Sequence, residues 1–334
     1  MIPDKPDIAV VIPCHNEEIT IGKVVDDFRR ELPDARVVVF DNCSTDATGE
    51  IAAEHGAEVI PEPRLGKGYV IESMFDRVDA DAYVMVDGDD TYPPDKVHEL
   101  LAPVLSGQAD MTVGARLDSA TKATFRPLHV SGNNLVRRLV NWIGHARLSD
   151  IMSGYRAFSR HVVGHLPVVS AGFEVETEMT IQMLYYRMKI VEVPVEYRPR
   201  PAGSSSKLRT FRDGFRVLWK IFTLFRGFKP LTFFGALGLV LFAAGLLAGM
   251  VPVHDYMANP GGFVEHVPLA ILATGLMILA SGSVFLGILL HAFNWRLREM
   301  HNVLTRQKRL GRRRPNRPEP DAGPPGRRTK GRGK

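Results

Sequence analysis

Short apolar runs alternate with longer amphipathic stretches over the first third of the chain. Ile8–Ile12, Val37–Asp41, Glu58–Pro61, Ala82–Asp87 and Asp110–Gly114 read as strands. Between them, Glu18–Leu32, Thr45–His55, Tyr69–Arg77 and Pro94–Leu105 carry helical spacing. Apolar strands alternating with helices predict an α/β fold, a parallel sheet covered on both faces. Such sheets bind ligands beyond the carboxyl ends of their strands. The polar clusters His15-Asn16-Glu17, Asp41-Asn42 and Asp87-Gly88-Asp89-Asp90 all fall at those ends. Residues 116–210 are less regular. They suggest a helix near His129–Ile143, a strand near Tyr155–Ser159, a helix near Glu174–Met188 and a strand near Ile190–Tyr197. A Gly/Ser-rich loop, Arg200–Lys207, closes the region.

From Phe211 the pattern changes. Phe211, Phe215, Leu218, Trp219, Phe222 and Phe225 share one helical face, and Arg212, Arg216 and Lys220 recur every four residues on another. This is the pattern of a helix lying in a membrane interface, with a helix packed on the domain core as the alternative. Two apolar spans follow, Leu231–Val251 and Val267–Phe293, and neither contains Asp, Glu, Lys or Arg. At about 1.5 Å rise per residue each is long enough to cross about 30 Å of hydrocarbon. The connecting loop, Pro252–His266, has no Lys or Arg, whereas Arg226, Lys229, Arg296 and Arg298 flank the spans. The positive-inside rule then places the globular part and both chain ends in the cytoplasm of an integral membrane protein. The expected organisation is a globular domain at 1–210, an interface helix at 211–229, two transmembrane helices at 230–293 and a disordered basic tail at 294–334. The membrane pair also offers a surface for homo-oligomer formation.

Charge changes this picture little. The formal net charge is +5, but residues 306–334 hold twelve Lys or Arg against two Asp or Glu. That tail therefore carries +10 and the rest of the chain −5, so the basic pI does not mark a nucleic-acid-binding face. Near an anionic bilayer each such cation would contribute about 1 kcal/mol; a merely solvated tail is the alternative. The two cysteines, Cys14 and Cys43, are too few for a structural zinc site and read as buried or half-buried thiols in a reducing compartment. The strand pattern that starts at Ile8 does not read as a signal peptide, so the globular part is expected to stay in the cytoplasm.

The chemistry centres on Asp87-Gly88-Asp89-Asp90-Thr91-Tyr92-Pro93-Pro94. Carboxylates crowded where a strand meets a loop repel one another unless a cation neutralises them. Mg2+ or Mn2+ suits oxygen ligands and shares them with phosphates. Held by two or three of these carboxylates, it would offset the charge that builds on a departing nucleotide. The alternative is an Asp-Gly turn capping the helix at Pro94.

Ile12-Pro13-Cys14-His15-Asn16-Glu17-Glu18, Asp41-Asn42-Cys43-Ser44-Thr45-Asp46, Gly66-Lys67-Gly68 and Asp87-Gly88-Asp89 follow in order. Together they resemble the family 2 glycosyltransferases of the GT-A fold. Gly114-Ala115-Arg116, the segment Asp150–Phe158 and Gly203–Leu208 are similar to the dolichol-phosphate mannosyltransferase and polyprenyl-phosphate glycosyltransferase branch. The resemblance covers roughly residues 8–225, and the two spans match its membrane-anchored members.

The resemblance implies a GT-A (Rossmann-like) mixed, mainly parallel sheet with helices on both faces, followed by an interface helix and two transmembrane helices. It implies inverting, metal-dependent transfer of a hexose from a GDP- or UDP-linked sugar to polyprenyl phosphate. Pro13, Asn16, Glu17 and Asp41 would line the base and ribose pocket, with Lys67, Asp87 and Gly88 also on the nucleotide-sugar. Asp87 and Asp89 would hold the metal. Arg116, Arg126, Arg200 and Lys207 would hold phosphates, and catalysis would depend on Asp89, Arg116, Arg200 and Lys207. Asp150, Ser153 and Arg156 look like scaffold on the acceptor side. Thr91 stands where many relatives carry Gln.

An anionic phosphate acceptor needs no general base, only positioning and charge stabilisation. His15, His129 and His161 accordingly read as solvated or capping residues. Three rivals remain: transfer to a lipid hydroxyl, transfer to a polysaccharide chain, and a non-catalytic nucleotide-binding membrane adaptor. The Gln-x-x-Arg-Trp motif of processive synthases is absent from the sequence. A dinucleotide-binding dehydrogenase is disfavoured because Pro13–Glu17 stands where a Gly-x-Gly turn belongs.

Overall fold

The computed structural model describes residues 6–116, 127–172, 174–201, 210–258 and 265–312. Its first half alternates β1 (Ile8–Cys14), α1 (Ile21–Glu31), β2 (Arg36–Asp41), α2 (Thr48–Glu54), β3 (Glu58–Pro61), α3 (Lys67–Arg77), β4 (Ala82–Met85), α4 (Val97–Leu105) and β5 (Met111–Arg116). Then come α5 (Pro127–Gly144), β6 (Arg156–Ser159), the single turn α6 (Arg160–Val163), α7 (Val175–Tyr185) and β7 (Ile190–Val195). The chain ends in α8 (Thr210–Phe228), α9 (Pro230–Ala258) and α10 (Val267–Arg312).

The seven strands form one mixed sheet in the order β3-β2-β1-β4-β6-β5-β7. β1 runs parallel to β2 and β4, β2 to β3, and β5 to β7; β6 alone is antiparallel to its neighbours β4 and β5. Side chains alternate between the two faces, as the pleat requires. Val10, Ile12, Val37 and Val84 pack with Val25 and Phe28 of α1 and Leu100 and Val104 of α4. Ala9, Val11, Val38 and Met85 pack on the other face with Ile71 and Met74 of α3 and Met179 and Met183 of α7. This is the expected sheet with helices on both sides.

A third cluster joins α5, α7 and α8 through Val136, Val140, Ile143, Ile181, Val217 and Ile221. It fixes which side of α8 faces the domain. Phe215, Trp219 and Phe222 stay exposed and stack along the helix, with ring centroids 6.4 and 5.6 Å apart. Two residues depart from the face pattern read in the sequence. Phe225 turns inward, its ring 5.4 Å from that of Trp142. Lys220 also points into the domain, where its ammonium lies 3.1 Å from Glu178 of α7.

α9 and α10 are long and apolar enough to cross a membrane. Small residues let them approach closely. A Cβ on Gly238 would lie 2.7 Å from Val284, and one on Gly287 3.0 Å from Phe234. The Ser283 hydroxyl donates to the Phe234 carbonyl at 2.9 Å. Outward, Leu239, Val240, Leu247, Ile271, Ile278 and Phe285 are exposed. α10 does not stop at Phe293, so residues 294–312, expected within a disordered tail, are helical. The charge of this stretch suggested a tail, yet no Gly or Pro interrupts it before Gly311. Its Arg, Glu, Leu, Met, Gln and Lys residues are good helix formers.

Candidate active site

The carboxyl ends of β1, β2, β3, β4, β5 and β7 lie along one rim of the sheet. β6, running the other way, brings its amino end to the same rim. At the outer part of the rim, Pro13 and Cys14 of β1 pair with Phe40 and Asp41 of β2. The chain then turns through Asn16, whose φ of 54° is left-handed. Asn16 Oδ1 accepts the Thr45 amide at 2.7 Å, and the Glu17 amide donates to Thr48 Oγ1 at 2.8 Å. Asp41 Oδ1 accepts the Ser44 amide at 3.1 Å. Pro13, Asn16, Glu17 and Asp41 therefore lie together at the carboxyl ends of β1 and β2.

Beyond β4, residues 87–91 cross the centre of the rim. The Gly88 carbonyl accepts the Thr20 hydroxyl at 2.6 Å, and a Cβ on Gly88 would lie 2.6 Å from Cys14 Sγ. Asp90 takes a left-handed φ of 54° and pairs outward with Lys23. Asp89 is buried, and both of its oxygens are engaged. Oδ1 accepts the Thr91 hydroxyl at 2.6 Å, and Oδ2 meets the Arg200 guanidinium at 2.5 Å. Burial and the neighbouring Asp87 raise the Asp89 pKa above the usual carboxylate range, against the pull of Arg200 and Thr91. Thr91 thus positions Asp89.

Asp87 Oδ1 meets the Lys67 ammonium at 2.5 Å, and the same ammonium lies 2.6 Å from Glu176 of α7. Burial works against the charged lysine, but the two carboxylates outweigh it and hold its pKa well up. The flanking glycines explain how Lys67 gets there. Gly66 has φ of 144°, and a Cβ on Gly68 would collide with the Ser170 carbonyl. The turn lies flush against Ser170-Ala171 and sends Lys67 inward.

At the end of β5, Arg116 Nε donates to Asp150 Oδ2 at 2.6 Å and its Nη2 to Oδ1 at 3.0 Å. Its side chain is only 11% exposed. Burial opposes both charges, yet the pairing keeps the Asp150 carboxyl below its ordinary range. Arg116, expected on a phosphate, is thus engaged by Asp150, whereas Arg200 reaches the centre. Arg126 and Lys207 lie outside the described residues. His15 Nδ1 is 2.7 Å from the Asn42 carbonyl, a contact that ties the segment after β1 to the segment after β2. Cys14 is buried, but Cys43 is exposed, contrary to the expectation of a half-buried thiol.

Sequence reasoning missed Glu176 and Tyr92. Glu176 stands in the Glu174-Val-Glu176-Thr-Glu178 run that opens the helix expected near Glu174–Met188, and no role was assigned to its acids. The signal was there: three acids opening an otherwise apolar helix need buried partners. The Tyr92 hydroxyl accepts the Gly154 amide at 3.0 Å, and a Cβ on Gly154 would collide with the Asp87 carboxylate.

Asp87 and Asp89 present only oxygen ligands, a set that suits Mg2+ or Mn2+. Among the described residues no cluster of three or more His, Cys, Asp or Glu makes a self-sufficient metal site. The donor set therefore fits a metal that takes its remaining ligands from substrate phosphates and water.

A family model described as Glycosyl transferase family 2 matches residues 9–166. Glycosyltransferase AglJ of Haloferax volcanii is 30% identical over 289 residues, spanning 86% of this chain and 94% of that protein. The dolichyl-phosphate hexose transferase of the same organism is 32% identical over 208 residues, 62% of this chain and 89% of its own. Among solved structures, glucosyl-3-phosphoglycerate synthase of Mycobacterium tuberculosis superposes with a TM-score of 0.51. It is 25% identical, covers 66% of this chain and 80% of its own, and was crystallised with Mn2+, uridine-diphosphate-glucose and glycerol 3-phosphate.

Proposed function

The chain belongs to glycosyl transferase family 2, and from that membership we propose that it moves a hexose from a GDP- or UDP-linked sugar to the phosphate of a polyprenyl lipid. The observation that carries this reading is the contact between Arg200 and Asp89. It brings a cation suited to an acceptor phosphate onto a carboxylate suited to the donor's metal, so both substrates would meet at one point of the rim. The two long apolar helices and the relative named for dolichyl phosphate support a lipid acceptor.

In this reading Pro13, Asn16, Glu17 and Asp41 hold the nucleoside, and Asp87 and Asp89 hold a divalent ion, as the Mn2+-bound neighbour suggests. That ion would supply charge neutralisation at the diphosphate. Arg200, with Lys207 and Arg126, orients the acceptor phosphate, and Arg116 braces that side through Asp150. An acceptor phosphate oxygen bonds to the anomeric carbon while the bond from that carbon to the donor diphosphate breaks, inverting the sugar. The acceptor oxygen carries no proton at neutral pH, so no residue must remove one. The interface helix, residues 211–229, lies along the cytoplasmic leaflet, the spans within 230–293 cross the bilayer, and both chain ends are cytoplasmic.

Membranes containing the protein, incubated with polyprenyl phosphate and a panel of labelled nucleotide-sugars, test the proposal. It predicts an acid-labile lipid-phosphate sugar from one donor. Labelled diacylglycerol or polysaccharide in its place sinks the reading.

A further inference from the structure

The buried acids of α7 connect two regions that the proposed chemistry treats separately. Glu178 is 1% exposed, in a helix whose residues 175–183 are all buried. Its Oε1 accepts Gln182 Nε2 at 3.0 Å and lies 3.1 Å from the Lys220 ammonium of α8. Its Oε2 accepts the Ser170 amide at 2.7 Å. The next carbonyl, that of Ala171, accepts the Gly68 amide at 3.1 Å. Neither Gly66 nor Gly68 leaves room for a methyl group against this segment, so the 66–68 turn and residues 170–171 pack without slack. Between those glycines, Lys67 reaches Asp87 and Glu176. Glu176 and Glu178, two positions apart, point to different sides of α7. One meets the rim and the other meets α8.

We propose that Lys220 and Glu178 are positioning residues for the nucleotide-sugar site. They lock the 66–68 turn, and with it Lys67 and Asp87, to the helix that carries the exposed aromatic row. A carboxylate buried this deeply needs a cation, and Lys220 is the ion partner the structure gives it. With Lys220 neutral, Glu178 retains only amide donors, and the segment it grips is free to shift. The donor site then loosens although no residue touching the donor has changed. The inference rests on the family 2 reading for what the rim binds, but the mechanical link stands on the contacts alone.

The test uses the full chain in nanodiscs, with Lys220→Met, Lys220→Arg, Glu178→Gln and the Lys220→Met/Glu178→Gln double variant. Hydrogen exchange without any ligand reads the link. Lys220→Met is expected to speed exchange of the peptide covering Gly66–Tyr69, and Lys220→Arg to restore it. Calorimetry with GDP or UDP plus Mn2+ reads the site. Lys220→Met is expected to weaken nucleoside-diphosphate binding about tenfold, with the double variant no worse than the worse single one. Unchanged exchange at Gly66–Tyr69 overturns the proposal whatever the chain binds. A lowered Tm with unaltered nucleotide affinity also overturns it, because the pair would then be structural only. If the wild-type chain binds neither nucleotide, the family 2 reading of the rim fails, and the positioning claim falls with it, while the exchange data still decide the link.

Discussion

At the scale of single residues, the proposed chemistry centres on Asp89. It is buried beside a second carboxylate, and its ionised form depends on Arg200 and Thr91. Asp89→Asn keeps the Thr91 contact but removes the charge. It is expected to cut labelled-lipid formation about a hundredfold or more while leaving the Tm close to wild type. A different carboxylate, Glu62, serves the fold. Its buried side chain accepts hydrogen bonds from Arg64, and Ser73 donates to it as well. The Arg64 bonds lead in holding its pKa down to about 2, from an ordinary 4.5, against the effect of burial. A depressed folded-state pKa stabilises the protein above the unfolded value. That stability is complete above about pH 4.5 and is lost as the pH falls toward about 2. Arg64→Met is therefore expected to lower Tm at pH 6 and to flatten its acid decline, as scanning calorimetry across pH would show.

At the scale of elements, β6 shows why short strands matter to the rim. Only four residues long, it lies antiparallel between β4 and β5 and delivers Gly154 against Asp87. Gly154→Ala should push the Asp87 carboxylate aside. Transfer activity is expected to fall at least tenfold while far-UV circular dichroism stays unchanged, since a small displacement of a reacting group is costly. The apolar runs of β1, β2 and β4, and the acids that follow them, were legible because a strand's pattern and its end are local. The direction of β6 was not, because pairing joins residues far apart in sequence. Arg156, buried with its guanidinium donating to the Ser153 and Ile151 carbonyls, looked like scaffold and is scaffold. The roles of Glu176 and Glu178 escaped because charge implies solvent unless the buried partner is known, and Lys67 and Lys220 lie over 40 residues away or more. The outward face of α8 was read correctly for Phe215, Trp219 and Phe222. Phe225 was misplaced because contact with Trp142 of α5 decides its direction.

At the scale of the whole molecule, a polar rim and an apolar helical pair belong to one chain. α10 alone has 46 residues. At about 1.5 Å each that is roughly 69 Å, far more than a bilayer's apolar thickness of about 30 Å. In the proposed topology the helix emerges from the bilayer, and its cationic flank predicts that the exit is on the cytoplasmic side. In sealed inside-out vesicles of a Cys43→Ser background, a membrane-impermeant maleimide is expected to label Glu299→Cys and to spare Asp255→Cys. The reverse pattern would invert the proposed topology.

The full occupancy of the Asp89 carboxylate bears on how the protein idles. With Thr91 on one oxygen of Asp89, Arg200 on the other, and Lys67 shared by Asp87 and Glu176, the resting centre already sets two cations against its carboxylates. A stray divalent ion arriving alone would have to evict built-in counter-ions with nothing to compensate them. In the proposed reaction the donor and acceptor phosphates bring the anionic oxygens to which Lys67 and Arg200 can turn. The proposed site is therefore expected to hold ion and donor together and to bind the ion only weakly on its own.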